Sequence, residues 1–110
     1  MTAPYEKASG QYTDTFAFEA LAVVGSATAF TAGTYDPVGV ESNTPAISAT
    51  VQCQVAQVRY RVDGTDPTAS VGTLMDVGDE IVVWGSRDIK SFRAIRTGGV
   101  SATLATHYAR

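Results

Sequence analysis

The side chains that most often carry nucleophilic or metal chemistry are scarce in this chain. It contains one histidine, His107, and one cysteine, Cys53. His107 lies on the opposite face from Leu104 in an alternating segment, which predicts a solvent-facing strand residue. Cys53 is in phase with Val51 and Val55, which predicts a small buried hydrophobe rather than a reactive thiol. A nucleophile–base pair and a four-ligand zinc site both lack residues, and a lone cysteine excludes an intrachain disulfide.

Two pairs of aspartates are the remaining candidates for metal chemistry. Asp63 with Asp66, and Asp76 with Asp79, are each three residues apart around a glycine. Clustered carboxylates can bind Ca²⁺, but no D-x-D-x-D-G loop is present, and tight turns also need Asp and Gly. We therefore predict turns at both places and no metal or cofactor. Because no glycine-rich phosphate loop or cleft-forming carboxylate pair is recognisable either, we predict that the protein is not an enzyme.

Strands separated by turns must position these residues. From Val58 to Val62 apolar residues alternate with arginines, which is the period of a half-buried strand. The turn at 63–67 follows, and Gly64 is expected there with positive φ. A second turn at 76–79 precedes the apolar run Glu80–Trp84. This segment predicts parts of three strands and no helix.

The rest of the chain follows the same pattern of short strands and turns. Further strands are predicted at Thr15–Val24, Thr28–Thr31, Ala46–Gln54, Val55–Val62, Phe92–Arg96 and Val100–Tyr108. We expect the first two to form one hairpin and the last two another, through Gly98-Gly99. A bend near Ala56 leaves two arrangements open there, a hairpin or one bulged strand. Ile89 and Phe92, three residues apart, predict a 3₁₀-like turn that plugs one end of the core.

Composition supports the same fold class. Valine, alanine and threonine dominate the chain, whereas leucine occurs only three times among 110 residues. Branched side chains suit a pleated, half-buried surface, so this bias favours strands. We predict an all-β protein, with residues 15–110 as a single antiparallel β-sandwich or jelly-roll-like domain and residues 1–14 as an extended N-terminal arm.

Charge and hydropathy exclude two classes of partner. The net charge is −3, and no dense cluster of Lys and Arg is present, so we expect no direct binding of nucleic acid. No run of about 20 apolar residues and no signal-peptide pattern occurs, so we expect no membrane span. The chain is therefore expected to be made and folded in a cytoplasm.

Five residues are candidates for contacts with other subunits. Tyr5 and Tyr12 lie in the polar arm, which we interpret either as disordered or as a segment anchored on a neighbouring subunit by these rings. Leu21 and Val23 give the first strand a second apolar face, opposite Phe16, Phe18, Ala20, Ala22 and Val24, and are expected to pack against another copy or a partner. Trp84 is expected to be buried in the core or between subunits.

A family resemblance covers roughly residues 55–108. Its motifs are RYRVDGTDPTASVGTLM at Arg59–Met75, Val77-Gly78-Asp79, and SRDIKSFRAIR at Ser86–Arg96. This pattern resembles small structural proteins of tailed bacteriophages. The resemblance implies a virion β-domain that serves as a capsid decoration (cement) protein or as a head–tail or tail accessory protein, and it brings no catalytic residues.

The expected function is therefore that of a non-enzymatic virion component made in the host cytoplasm. We expect a decoration protein, acting as a homotrimer, that binds the major capsid protein or other virion proteins and bridges neighbouring subunits. Two alternatives remain open: a neck or tail accessory protein, and a carbohydrate- or receptor-binding module on the particle surface. Exposed aromatic residues would favour the second.

Overall fold

The structure, a computed structural model, describes residues 14–37 and 45–110. Its elements are β1 (Thr15–Val23), β2 (Thr28–Ala29), α1 (Ala32–Tyr35), β3 (Ser48–Gln54), β4 (Val58–Arg61), β5 (Thr73–Met75), β6 (Glu80–Trp84), α2 (Ser86–Ser91), β7 (Arg93–Arg96) and β8 (Ala102–Ala109). Neither helix in these ranges is long and apolar enough to cross a membrane.

The strands form two packed four-stranded sheets. Sheet A has the order β1-β8-β3-β6 and sheet B has the order β2-β7-β4-β5. All of these pairings are antiparallel. The predicted all-β sandwich is therefore confirmed.

The core lies between the two sheets and follows the alternation of the strands. On β8, Leu104, Thr106 and Tyr108 are fully buried. Aromatic rings fill one end of the core, where Phe30 stacks on Phe92 with centroids 4.1 Å apart and meets Tyr108 edge-on at 5.6 Å. Such pairings stabilise a core beyond the area they bury.

The sequence pattern assigns Leu21 and Val23 of β1 to the outward face, and this assignment is wrong. Leu21 and Val23 belong to the core, whereas Phe18 is exposed, and Ala20, Ala22 and Val24 are exposed with it. The register with β8 shifts between Thr15 and Ala17, so Phe16 is an extra residue that changes which positions face inward. Because both faces of β1 are apolar, alternation alone does not distinguish them. Leu21 and Val23 are therefore core residues and not a second, outward-facing set.

Consecutive strands mostly belong to different sheets. In the described ranges only β4 and β5 are both adjacent in sequence and paired. β2 pairs with β7, not with β1, and the chain crosses between sheets from β3 to β4 and from β7 to β8. The two predicted hairpins are therefore wrong, and neither arrangement proposed around Ala56 occurs. A turn signal such as Gly98-Gly99 indicates that the chain reverses, but not which sheet it enters.

Helix α2 occupies the place predicted for a 3₁₀-like turn. It is a six-residue α-helix that begins after Gly85, whose φ is +94°. Ile89 and Phe92 are fully buried in the core, so the prediction that they pack inward is confirmed, although the helix type differs.

Candidate interaction surface

The outward side of sheet A exposes three large apolar side chains, Phe18, Val82 and Trp84. We call it the outer face and define it by these residues of β1, β8, β3 and β6: Phe18, Ala20, Ala22, Thr103, Ala105, His107, Thr50, Gln52, Gln54, Glu80, Val82 and Trp84. One row runs across all four strands, from Phe18 through His107 and Thr50 to Val82. The Phe18 and His107 rings lie 4.8 Å apart. Phe18 is 52% exposed and Val82 is 47% exposed, so this row presents apolar area to solvent.

The outer face is almost free of charge. Glu80, at the β6 edge, is its single formally charged residue with His107 neutral. Gln52 donates a hydrogen bond to the Glu80 carboxylate at 3.5 Å, and Gln54 donates one to Gln52 at 3.0 Å. A neutral surface with amide groups and exposed rings has the composition of a protein contact, where charged residues are depleted.

Trp84 extends this surface at the end of β6. It pairs with Ser48 of β3 and is 55% exposed. The expected burial of Trp84 in the core is therefore wrong, while its burial between subunits stays a prediction. Tyr5 and Tyr12, the other aromatic candidates, lie outside the described residues.

One aspartate of each pair, Asp63 and Asp79, accepts a side-chain hydrogen bond within its turn, as the turn interpretation predicted. Asp63 accepts hydrogen bonds from Arg61 Nε at 3.0 Å and from the Thr65 amide at 3.3 Å, and the bond from Arg61 is the main reason that the pKa of Asp63 is lowered. Asp79 accepts a hydrogen bond from the Asp76 amide at 2.9 Å. Among the described residues no group of three or more His, Cys, Asp or Glu is placed to hold a metal ion.

The single histidine and the single cysteine are kept apart by the fold. His107 is on the outer face, whereas Cys53 is fully buried on the inner side of β3. The Cys53 thiol donates a hydrogen bond to the Ala56 carbonyl at 3.0 Å. Burial is the largest cause that raises the pKa of Cys53, and the nearby Asp79 and Asp76 raise it further. The prediction that Cys53 is a buried hydrophobe is confirmed.

A shallow cleft between the two helices was missed by the sequence reasoning. It has a volume of about 420 Å³, and Tyr35 and Asp36 form part of its wall beside Ser86, Arg87 and Lys90 of α2, which sets two cations against one carboxylate. Within the described ranges neither cation of α2 has a carboxylate at ion-pair distance. The cleft therefore offers positive charge next to an aromatic ring. The α1 and α2 residues that line it are about 50 residues apart in sequence, so no local sequence pattern predicts that they lie together.

Comparison with known proteins gave no match: no family model, no curated protein and no solved structure is similar to this chain.

Proposed function

We propose that this protein is a non-enzymatic structural component of a tailed-bacteriophage virion, a decoration (cement) protein bound to the capsid. The observation that carries the proposal is the outer face of sheet A. The virion context comes from the resemblance over residues 55–108, and the outer face supplies a place for attachment.

The physical logic is additive binding. A neutral row that exposes Phe18 and Val82, with Trp84 beside it, loses little solvation energy when covered and gains the free energy of apolar burial. A decoration protein needs only a modest contact per copy, because several linked contacts act together once a copy or an oligomer is seated. Trimers bridging neighbouring shell subunits are the assembly we propose, with the major capsid protein as partner.

The N-terminal arm is the second proposed attachment element. Asp14 directly precedes β1, and its amide and carbonyl both pair with Arg110 at 2.8 and 3.0 Å. Asp14 lies where β1 begins and β8 ends, at the border of the outer face. Asp14, which joins residues 1–13 to β1, therefore lies beside the surface proposed to meet the shell, and Tyr5 and Tyr12 are proposed to contact a neighbouring subunit.

The direct test is to mix the purified protein with phage capsids that lack it. We expect saturable binding with a fixed copy number per particle. Phe18→Ser and Trp84→Ser should each weaken that binding, whereas Leu74→Ser, which alters an exposed apolar residue of sheet B, should not. Absence of binding, or equal losses for all three variants, would contradict a capsid role for the outer face.

Tail or neck attachment is the alternative within the same class. It predicts that the protein sediments with purified tails or portal-containing necks rather than with empty shells. Labelling particles with an antibody to the protein and imaging them by electron microscopy would assign its position.

Glycan or receptor binding is a second candidate function, favoured by two observations. Trp84 is exposed, and the α1–α2 cleft places Tyr35 beside Arg87 and Lys90. Aromatic and cationic groups together suit an acidic sugar. A glycan array, repeated with Trp84→Ala and Arg87→Ala, tests this function; signals that both variants leave unchanged would count against it.

A further inference from the structure

One strand edge of the sandwich is long and open. β1 spans nine residues, and among the described residues it pairs only with β8. No other backbone hydrogen bond in the described ranges reaches Thr15–Val23. We call the side of Ala17–Val23 turned away from β8 the β1 edge. Its amides and carbonyls, which pair with no other described residue, are a template on which another strand can pair.

The β1 edge lacks most of the features that protect open edges. It contains no Lys, Arg or Pro, and the bulge at Phe16 affects only its first residues. Glu19 is an inward-pointing charge of the kind that discourages pairing. However, its carboxylate already accepts hydrogen bonds from Thr31 and Tyr108 of its own chain, so an added strand would not leave it without partners.

The other described edges are shorter. β2 has two residues and β5 has three, which is too little for a stable added strand. β6 has five residues, and it begins with the exposed Glu80. β1 is therefore the edge best suited to strand addition.

We propose that the β1 edge pairs antiparallel with the β1 edge of a second copy, across a two-fold axis, to form a continuous eight-stranded sheet. The sequence of the strand is self-complementary in this arrangement. With Ala20 opposite Ala20 of the second copy, Phe18 lies opposite Ala22 and Glu19 lies opposite Leu21. Phe18 then meets a small residue, and the two Glu19 carboxylates do not face each other.

Charge and area both fit a weak dimer. The outer-face residues of β1 and β8 carry no formal charge with His107 neutral, so the two joined faces do not repel. Pairing over Ala17–Val23 extends roughly 23 Å, which by itself gives a contact below the ~1,200 Å² of standard complexes. We therefore expect dissociation in the micromolar range. This inference does not rest on the proposed virion role, and the proposed trimer would require a separate contact, because a two-fold contact closes with two copies.

The test is the molar mass of the full chain in solution, measured by light scattering. Protein concentrations between about 1 and 200 µM bracket a micromolar dissociation constant. We expect a change from monomer to dimer across this range. Ala20→Lys should leave the monomer at every concentration, because two lysines would face each other across the axis. Thr50→Lys, which places the same charge on the outer face of the central strand β3, and Val82→Lys, on the β6 edge, should both dimerise as the unaltered chain does.

Two other results would overturn the proposal. One is a monomer at all concentrations. The other is an oligomer that Val82→Lys or Thr50→Lys disrupts while Ala20→Lys does not. An oligomer that Ala20→Lys on β1 and Val82→Lys on β6 both disrupt would also contradict pairing of β1 with β1. If Ala20→Lys fails to fold, amide hydrogen exchange of the unaltered chain provides the decision: protection of Ala17–Val23 must rise with protein concentration, and constant protection would contradict edge pairing.

Discussion

Tyr108 of β8 donates the hydrogen bond of its hydroxyl group to the carboxylate of Glu19 on β1. The same carboxylate accepts hydrogen bonds from the Thr31 amide at 3.0 Å and the Thr31 hydroxyl at 2.7 Å. Glu19 is thus a charged residue on the inner side of an edge strand, and its position is explained by three donors. The arrangement joins β1, β8 and the segment that leads into α1.

Removing the Tyr108 hydroxyl should therefore destabilise the sandwich. Tyr108→Phe keeps the ring that packs against Phe30 and Tyr35 but removes a hydrogen bond to a charged group, which is typically worth about 1.5–3 kcal/mol. Urea unfolding measures the change. Tyr60→Phe is the control, since Tyr60 also packs on a core ring but no hydrogen bond to its hydroxyl is seen in the described residues. If both variants lose the same free energy of unfolding, the hydrogen bond to Glu19 does not stabilise the fold.

The same contact predicts a loss of stability at alkaline pH. Burial is the main cause that raises the pKa of Tyr108, and the hydrogen bond and charge of Glu19 raise it further. The folded state therefore holds the phenolic proton more tightly than the unfolded chain, whose tyrosines titrate at about pH 10. The contribution is complete below that pH and is lost as the pH rises above it. The free energy of unfolding should fall more steeply above about pH 10 in the unaltered chain than in Tyr108→Phe; parallel curves would refute this linkage.

The turn at 63–67 gives a prediction about backbone strain. Gly64 has φ +86° with no atom near the position of an added Cβ, as the turn chemistry predicted. Gly64→Val should destabilise the fold by about 1–3 kcal/mol, because a β-branched residue is strained at positive φ. Gly98→Val, at an equally open position without left-handed φ, should cost much less.

A chelator separates this explanation from a metal site. EDTA should leave the melting temperature unchanged, because the Asp63 carboxylate is already paired with Arg61 and the Thr65 amide. A melting temperature that drops on chelation would restore the calcium interpretation.

The strands could be predicted from the sequence, but their partners could not. Alternation identified the strands around Ala46–Gln54 and Val100–Tyr108, and it assigned His107 and Cys53 to the correct faces. Each of these strands has one apolar face and one polar face, so the alternation decides which face is buried. β1 is apolar on both faces and contains a bulge, which is why Leu21 and Val23 were assigned outward.

Which strands pair, and which sheet each strand joins, depends on packing between residues far apart in the sequence. Turn residues fix a local change of direction, whereas the choice of sheet is decided by which strands bury each other. Thr28 illustrates this: it lies opposite Ala94, far along the chain, and no local pattern records that partner. The outer face was missed for the same reason, since its row joins Phe18, Thr50 and Val82 from three separate strands.

Cys53 should be unreactive in the folded protein. It is fully buried, its pKa is raised and its thiol donates to Ala56, so reagents must wait for an opening of the structure. We expect its reaction with a disulfide reagent to be on the order of 100-fold slower in the folded chain than in urea. Thr50→Cys adds an exposed thiol on the same strand and should introduce a fast phase; a single fast phase in the unaltered chain would contradict the burial.

Deletion of residues 2–13 tests the arm and the proposed attachment together. The described core consists of residues from the strands, from α2 and from their connections, and the sequence of the arm has no hydrophobic period that would add to it. The melting temperature should therefore change little. Capsid binding should weaken, because Tyr5 and Tyr12 would supply large contact area at small entropic cost.

A matched variant assigns that loss to the two rings. Tyr5→Ser combined with Tyr12→Ser keeps the length and charge of the arm, so it should weaken capsid binding nearly as much as the deletion. If the deleted chain binds capsids as tightly as the full chain, attachment belongs to the outer face alone, and Phe18→Ser and Trp84→Ser should then weaken the binding of the deleted chain as much as that of the full chain. If the deletion lowers the melting temperature instead, residues 2–13 stabilise the sandwich itself, and weaker binding would follow from the loss of fold.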